Sequence, residues 1–180
     1  MSSFYSEIEL SGLGLKSFGT NVLVSRKCSI YSPRLISLGS NVRIDDFCIL
    51  SGKITLGNNV HISAYSALYG ANEIEFKDYS GCSAPTTIYS AMDDFSGDYL
   101  IGPMNPIETT NVKGGKVTIG QFVQLGAHCL VFPNVTIEEG TVVGALSLVT
   151  KDIPGWSIYV GIPARKLRDR KKGLLNLINS

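Results

Sequence analysis

The sequence predicts an all-β solenoid, a stack of short parallel strands wound into triangular coils. Three observations predict it: a six-residue aliphatic beat, a second apolar or small residue four positions after each beat, and glycines that follow the beat. Stepping by six from Leu38 gives Leu38, Ile44, Leu50, Leu56, Ile62, Leu68 and Ile74. Stepping from Ile119 gives Ile119, Leu125, Val131, Ile137, Val143 and Val149. All thirteen are aliphatic in a chain that is 44% hydrophobic, so composition does not produce the pattern. Shorter runs in shifted phase precede it (Phe18, Val24, Ile30, Ile36) and interrupt it (Phe76, Cys82, Ile88). A sustained short repeat marks a solenoid.

Each element follows from that beat. The first dozen residues carry no repeat and are expected to cap the first coil, hiding open strand edges. Residues 13–153 form the coils. A period of six fits neither the 3.6-residue spacing of a helix nor the alternation of a hairpin strand. It fits one short strand plus one tight corner, three of which close a coil of about 18 residues, with neighbouring strands about 4.8 Å apart. Gly39, Gly57, Gly120, Gly126 and Gly144 follow the beat, where a positive φ at the corner would need them. Val42, Cys48, Ile54, Val60, Ser66, Val123, Cys129, Val135, Thr141 and Ser147 hold the second inward position. The beat is lost over residues 89–116, YSAMDDFSGDYLIGPMNPIETTNVKGG and one further residue, a long inserted loop whose aromatic content favours order. A long loop in a regular scaffold usually carries function. Residues 154–180 leave the coils and are expected to end in a short basic helix. The whole, residues 1–180, reads as one domain.

Composition narrows the function. A formal net charge of +1 offers no field for nucleic acid. No apolar run approaches the ~20 residues of a membrane span, and no charged-then-apolar leader is evident. Cys28, Cys48 and Cys129 fall at the second inward position and Cys82 on a beat, so all four read as core residues in a reducing, cytoplasmic setting.

From Leu56 onward, over roughly two thirds of the chain, the sequence resembles the galactoside and maltose acetyltransferases of the hexapeptide-repeat family. The register LGNNVHISAYSALYGANEIEFKDYSGCSAPTTIYSAMDD, the final coils VTIGQFVQLGAHCLVFPNVTIEEGTVVGALSLVTKDIP and the exit signature VTKDIP followed by GIPAR carry the resemblance. It implies a left-handed parallel β-helix, a homotrimer, and acetyl-CoA bound as acyl donor in the groove between subunits. Carried over, the donor-binding positions are Gly126, Ala127, Ala145, Thr150, Lys151, Arg165 and Arg168. The chemistry agrees, because arginine and lysine suit phosphates and small residues admit the pantetheine arm to backbone amides. A backbone amide, at Gly126 or Ala127 by register, is the candidate for stabilising the oxyanion of thioester attack.

The sugar acetyltransferases place a catalytic histidine in the long loop, and here the register gives Asp93. The loop has no histidine; the chain has two, His61 and His128. A hydroxyl acceptor needs a base, whereas an amine attacks a thioester once it is unprotonated. The exchange therefore favours an amino group, and the family includes N-acetyltransferases of nucleotide-linked amino sugars in surface polysaccharide (lipopolysaccharide) synthesis. Asp93 is the first catalytic candidate, Asp94 the second and His61, outward-facing beside its beat residue, the third. Ser63, Gln124 and Tyr89 are the acceptor-binding candidates. O-acetylation of a sugar hydroxyl and a non-catalytic scaffold are the alternatives. A zinc enzyme of the carbonic anhydrase type is disfavoured, since two histidines and core cysteines do not supply three ligands, and no metal is expected.

Overall fold

The structure, a computed structural model, describes residues 3–178. Its parallel strands stack into a triangular solenoid with apolar columns inside each face. On the first face Ile36, Ile54, Ile74 and Val117 lie above one another, as do Leu38, Leu56, Phe76, Ile119 and Ile137. On the second face Val24, Ile44, Ile62, Cys82, Leu125 and Val143 do so. On the third it is Ile30, Leu50, Leu68, Ile88, Val131 and Val149. The strands Ile49–Leu56 and Ala67–Phe76 run round a corner, joining the first and third faces in one ten-stranded sheet, while the second is an eight-stranded sheet. All thirteen beat residues are buried, as are all ten at the second inward position.

The register explains the phase shifts. Leu38 lies beneath Leu56, eighteen residues on, but Leu56 lies beneath Phe76, twenty on. Two extra residues enter between Leu68 and Ile74. Ile74 therefore sits on Ile54, a second inward position, and the beat passes to Phe76. Ile36 likewise belongs with Ile54 rather than with Val24 and Ile30. Phe76 and Ile119 are forty-three apart, a coil of eighteen plus 25 inserted residues.

The glycines that follow the beat act differently from expectation. Gly39, Gly57, Gly120, Gly126 and Gly144 have no positive φ; the left-handed corner is two residues later, at Asn41, Asn59, Phe122, His128 and Leu146. The glycines are needed because coils touch there. A Cβ on Gly39 would stand 2.5 Å from the Gly57 carbonyl oxygen, and one on Gly126 would stand 2.5 Å from the Ala145 nitrogen. At the corner itself asparagines tolerate the left-handed conformation and form a ladder, Asn21 donating to Asn41 at 2.9 Å and Asn41 to Asn59 at 3.1 Å.

The ends and the loop complete the architecture. The helix Glu7–Gly12 caps the first coil, closed by a Ser6–Glu9 capping box and seated on buried Leu10. The basic tail is not a helix. Ser157–Val160 and Arg165–Asp169 form an antiparallel hairpin that closes the second face, and a 3-10 turn follows over Gly173–Leu177. The sheet edge left by the last coil recruits this segment as a strand, overriding its helix-like charge pattern. All four cysteines are free thiols; three are buried, Cys28 is half-buried, and burial pushes the Cys82 thiol up to about 11. No described helix is long and apolar enough to cross a membrane.

Coil-to-coil contact at the glycines predicts an asymmetric response to alanine. Gly39→Ala should lower stability by about 1–3 kcal/mol through overpacking and depress the thermal midpoint by several degrees. Gly12→Ala, with no atom within 4 Å of the added methyl, should leave it unchanged or raised.

Candidate active site

The inserted segment is a folded arm. Ala91–Asp93 pairs antiparallel with Val112–Gly114, so the arm leaves and rejoins the coil as a two-stranded root. A pinning group holds the loop beyond it. The Asp94 carboxylate takes Lys113 Nζ at 2.9 Å, Asn111 Nδ2 at 2.8 Å and the Ser96 amide at 2.9 Å, and the Asp94 amide donates to the Asn111 carbonyl. These bonds, Lys113 foremost, hold its carboxyl far below the ordinary range. Asp94 therefore anchors the arm, with both oxygens engaged. Asp93 beside it is half-buried on the root strand, with no side-chain partner among the described residues.

A second cluster lies on the second face. His61, Gly81, Gln124 and Val142 succeed one another in register. His61 Nε2 is 2.7 Å from Asp45 Oδ2, and Arg43 Nε donates to Asp45 Oδ1 at 2.7 Å. Burial pushes the Asp45 carboxyl up, but the Arg43 and His61 bonds outweigh it and leave it lowered. Gln124 Nε2 donates to Ser83 Oγ at 3.3 Å and to the Leu125 carbonyl at 3.0 Å. Ser83 was not among the residues legible from sequence; its signal was its phase, one residue after Cys82 as Ser63 is one after Ile62. Ser63 is half-buried at the same corner, its amide bonded to the Cys82 carbonyl. Tyr89 stacks on Tyr69 with ring centroids 5.0 Å apart, on the third face. Ser83 and Asp93 thus flank the two ends of the strand Thr87–Tyr89, and no hydrogen bond joins them within the chain.

The donor candidates fall into separate groups. Thr150, Lys151 and Arg165 line a cleft of about 370 Å³ at the end of the last coil, with Val149, Tyr159 and Ala164. Arg168 lies elsewhere, on a cleft with Ile158 and Arg170, because it pairs with Ile158 across the hairpin. Gly126, Ala127 and Ala145 lie at the corner between the second and third faces. Ala64, Ala84, Ala127 and Ala145 occupy the same step of four successive coils there, a smooth strip beside the backbone. The Gly126 amide already donates to the Val143 carbonyl at 2.7 Å, which leaves the Ala127 amide as the candidate oxyanion donor.

A solenoid with an ordered arm, an alanine strip and a cationic exit cleft defines an acyltransferase of the hexapeptide-repeat class. The chain belongs to the family of the dTDP-4-amino-4,6-dideoxy-D-glucose acyltransferase of Escherichia coli, to which it is 41% identical over 178 residues, 97% of this chain and 93% of that one. It is similar throughout to AntD, an N-acyltransferase from Bacillus cereus, with 52% identity, a TM-score of 0.97, and coverage of 99% of this chain and 97% of that one. AntD has been crystallised with dTDP and coenzyme A, and with dTDP-4-amino-4,6-dideoxyglucose and coenzyme A, in variants replacing a serine or an aspartate ten positions apart. A maltose O-acetyltransferase from Clostridium difficile 630 matches at 25% identity and a TM-score of 0.58, over 92% of this chain and 75% of that one. No family model matches the chain.

The anchoring role of Asp94 sets an expectation for the arm. Asp94→Ala should release residues 94–111 to rapid hydrogen exchange and proteolysis while the coils stay protected. Because the folded carboxyl is depressed, the anchor is fully present above the unfolded pKa of about 3.9 and is lost only as pH falls below it. Arm protection should therefore be flat from pH 8 to 5 and decline only in stronger acid.

Proposed function

We propose that the enzyme transfers an acetyl group from acetyl-CoA to the amino group of a dTDP-linked 4-amino-4,6-dideoxy sugar. The observation that carries this reading is the pair Ser83 and Asp93, separated by the same ten positions as the serine and aspartate replaced in AntD, on a backbone that superposes with a dTDP and coenzyme A complex. The arm has no histidine to activate a hydroxyl, which argues against O-acetylation.

In this reading the amine nitrogen attacks the thioester carbonyl, and the oxygen takes the negative charge, met by the Ala127 amide. Asp93 receives the proton that the nitrogen sheds, directly or through Ser83. The carbon–sulfur bond then breaks, the thiolate leaves and is protonated, and the products are an amide and free coenzyme A. Thr150, Lys151 and Arg165 hold the phosphates at the exit cleft, and the alanine strip admits the pantetheine arm. Because Ser83 and Asp93 sit at opposite ends of one strand, a homotrimer in which the arm of one protomer reaches the corner of the next would unite them. His61, held by Asp45, with Gln124 and Ser63, faces the sugar. A thioester donor and four free thiols suit the cytoplasm, and the product suits a bacterial surface polysaccharide.

The direct test is thiol release on mixing the enzyme, acetyl-CoA and dTDP-4-amino-4,6-dideoxyglucose, with the 4-hydroxy sugar nucleotide giving none. Asp93→Asn should lower kcat by about 10²–10⁴ with KM values little changed. An Asp93→Asn enzyme at full turnover removes Asp93 from the mechanism. Arg165→Ala should raise KM for acetyl-CoA about tenfold, the worth of a charge-assisted phosphate contact, without moving KM for the sugar.

A further inference from the structure

The corner between the second and third faces carries left-handed residues, Phe47, Tyr65, His128 and Leu146, at φ of 58° to 61°. A bulky side chain in this conformation is strained, and such strain gathers at functional sites. Phe47 and Tyr65 stack with ring centroids 4.9 Å apart and planes 25° apart, yet are 45% and 62% exposed. The corner between the first and second faces holds a matching pair, Tyr79 on Phe122 at 5.4 Å. There Trp156 packs against Phe122 at 6.4 Å and leaves it 8% exposed. Trp156 thus covers one ring of that pair and leaves Tyr79 44% exposed, whereas both rings of the Phe47–Tyr65 pair are presented to solvent.

The open column is also held in place. Lys27 Nζ lies 5.2 Å from the centroid of the Phe47 ring and pairs with Asp46 at 2.8 Å, so in coil order a cation, Phe47 and Tyr65 follow one another. The column ends at Tyr65, because the next coil turns through Ala84–Pro85 with no left-handed residue. Its place along the axis matters. Tyr65 is one coil and Phe47 two coils before Ser83, about 5 and 10 Å at strand spacing. The cationic cleft for the donor is at the opposite end, beyond Val149. The donor's adenine therefore belongs to the far end of the groove, and the near end is left for the acceptor.

We propose that Tyr65, backed by Phe47, is the stacking platform for the nucleobase of the sugar-nucleotide acceptor. The proposal rests on the reading of the acceptor as a nucleotide-linked amino sugar. Flat aromatic faces bind bases by stacking with little demand on base identity. The groove would then run in one direction, with coenzyme A entering from the C-terminal coils, the nucleotide from the N-terminal coils, and the two meeting at Ser83.

Tyr65→Leu, Tyr65→Phe and Phe47→Leu test it, through KM for each substrate, calorimetric binding of dTDP alone, and oligomeric state by light scattering. Tyr65→Leu should raise KM for the dTDP amino sugar and Kd for dTDP by about 5- to 150-fold, the worth of one base stacked on one ring. Phe47→Leu should move both the same way by less, and Tyr65→Phe should stay within about twofold. KM for acetyl-CoA and the oligomeric state should not change. Unchanged acceptor KM and dTDP affinity in Tyr65→Leu would overturn the proposal. A raised KM for acetyl-CoA would also overturn it, assigning the platform to adenine, and so would loss of the oligomer, assigning it to subunit packing. An unmodified enzyme active on the amino sugar alongside such a result sinks only the platform. An unmodified enzyme that neither binds dTDP nor releases thiol sinks the functional reading and the platform together.

Discussion

Each coil hangs on the next through backbone hydrogen bonds about 4.8 Å apart, and this fixed approach constrains everything else in the molecule. It sets apolar residues of successive coils directly above one another, and so makes continuous interior columns such as Val24–Ile44–Ile62–Cys82–Leu125–Val143. It requires glycine where the corner of one coil meets the backbone of the next, as at Gly39 and Gly126. It rewards asparagine at left-handed corners, because a side-chain amide can bond its own copy one coil away. A solenoid of this kind is stabilised by neighbour contacts rather than by one central core.

That regularity also explains where chemistry can sit. A wall of stacked strands is shallow, and a shallow face holds a thioester poorly. Depth comes from departures from the repeat. The 25-residue arm rises between the third and first faces, stiffened by its two-stranded root and by Asp94. Insertion there costs the coils nothing, since Ile88 and Val131 stack as though the arm were absent. The tail supplies the other departure, a hairpin that closes the last coil and lines the exit cleft beside Thr150 and Lys151.

Adjacent carboxylates in the arm illustrate how environment divides labour. Asp93 and Asp94 are sequence neighbours, but alternation along the root strand gives them different surroundings. Asp94 meets Lys113, Asn111 and the Ser96 amide, and it is spent on holding the loop. Asp93 has no side-chain partner among the described residues. The same logic applies to His61, whose Nε2 faces Asp45 and is thereby oriented. A residue already bonded on every side is a poor candidate for proton transfer, however suggestive its position.

Hexad spacing by itself determined the solenoid, the inward phase of the beat, the location of the arm and the core burial of Cys48, Cys82 and Cys129, though not of half-buried Cys28, because each is a local consequence of stacking at fixed spacing. The resemblance of the repeat and exit signature was enough to name Lys151 and Arg165, which the structure does bring to one cleft with Thr150. Only the tertiary structure decided that Ile74 follows Ile54, that the glycines serve close approach instead of positive φ, and that the basic tail is a strand. It also decided that Asp94 anchors the arm, that Arg168 lies away from the cleft of Thr150, Lys151 and Arg165, and that Ser83 joins Gln124. Each of these turns on which residues meet across coils or across the arm, and a register shift of two residues or a hairpin partner is set by packing at a distance rather than by the local sequence.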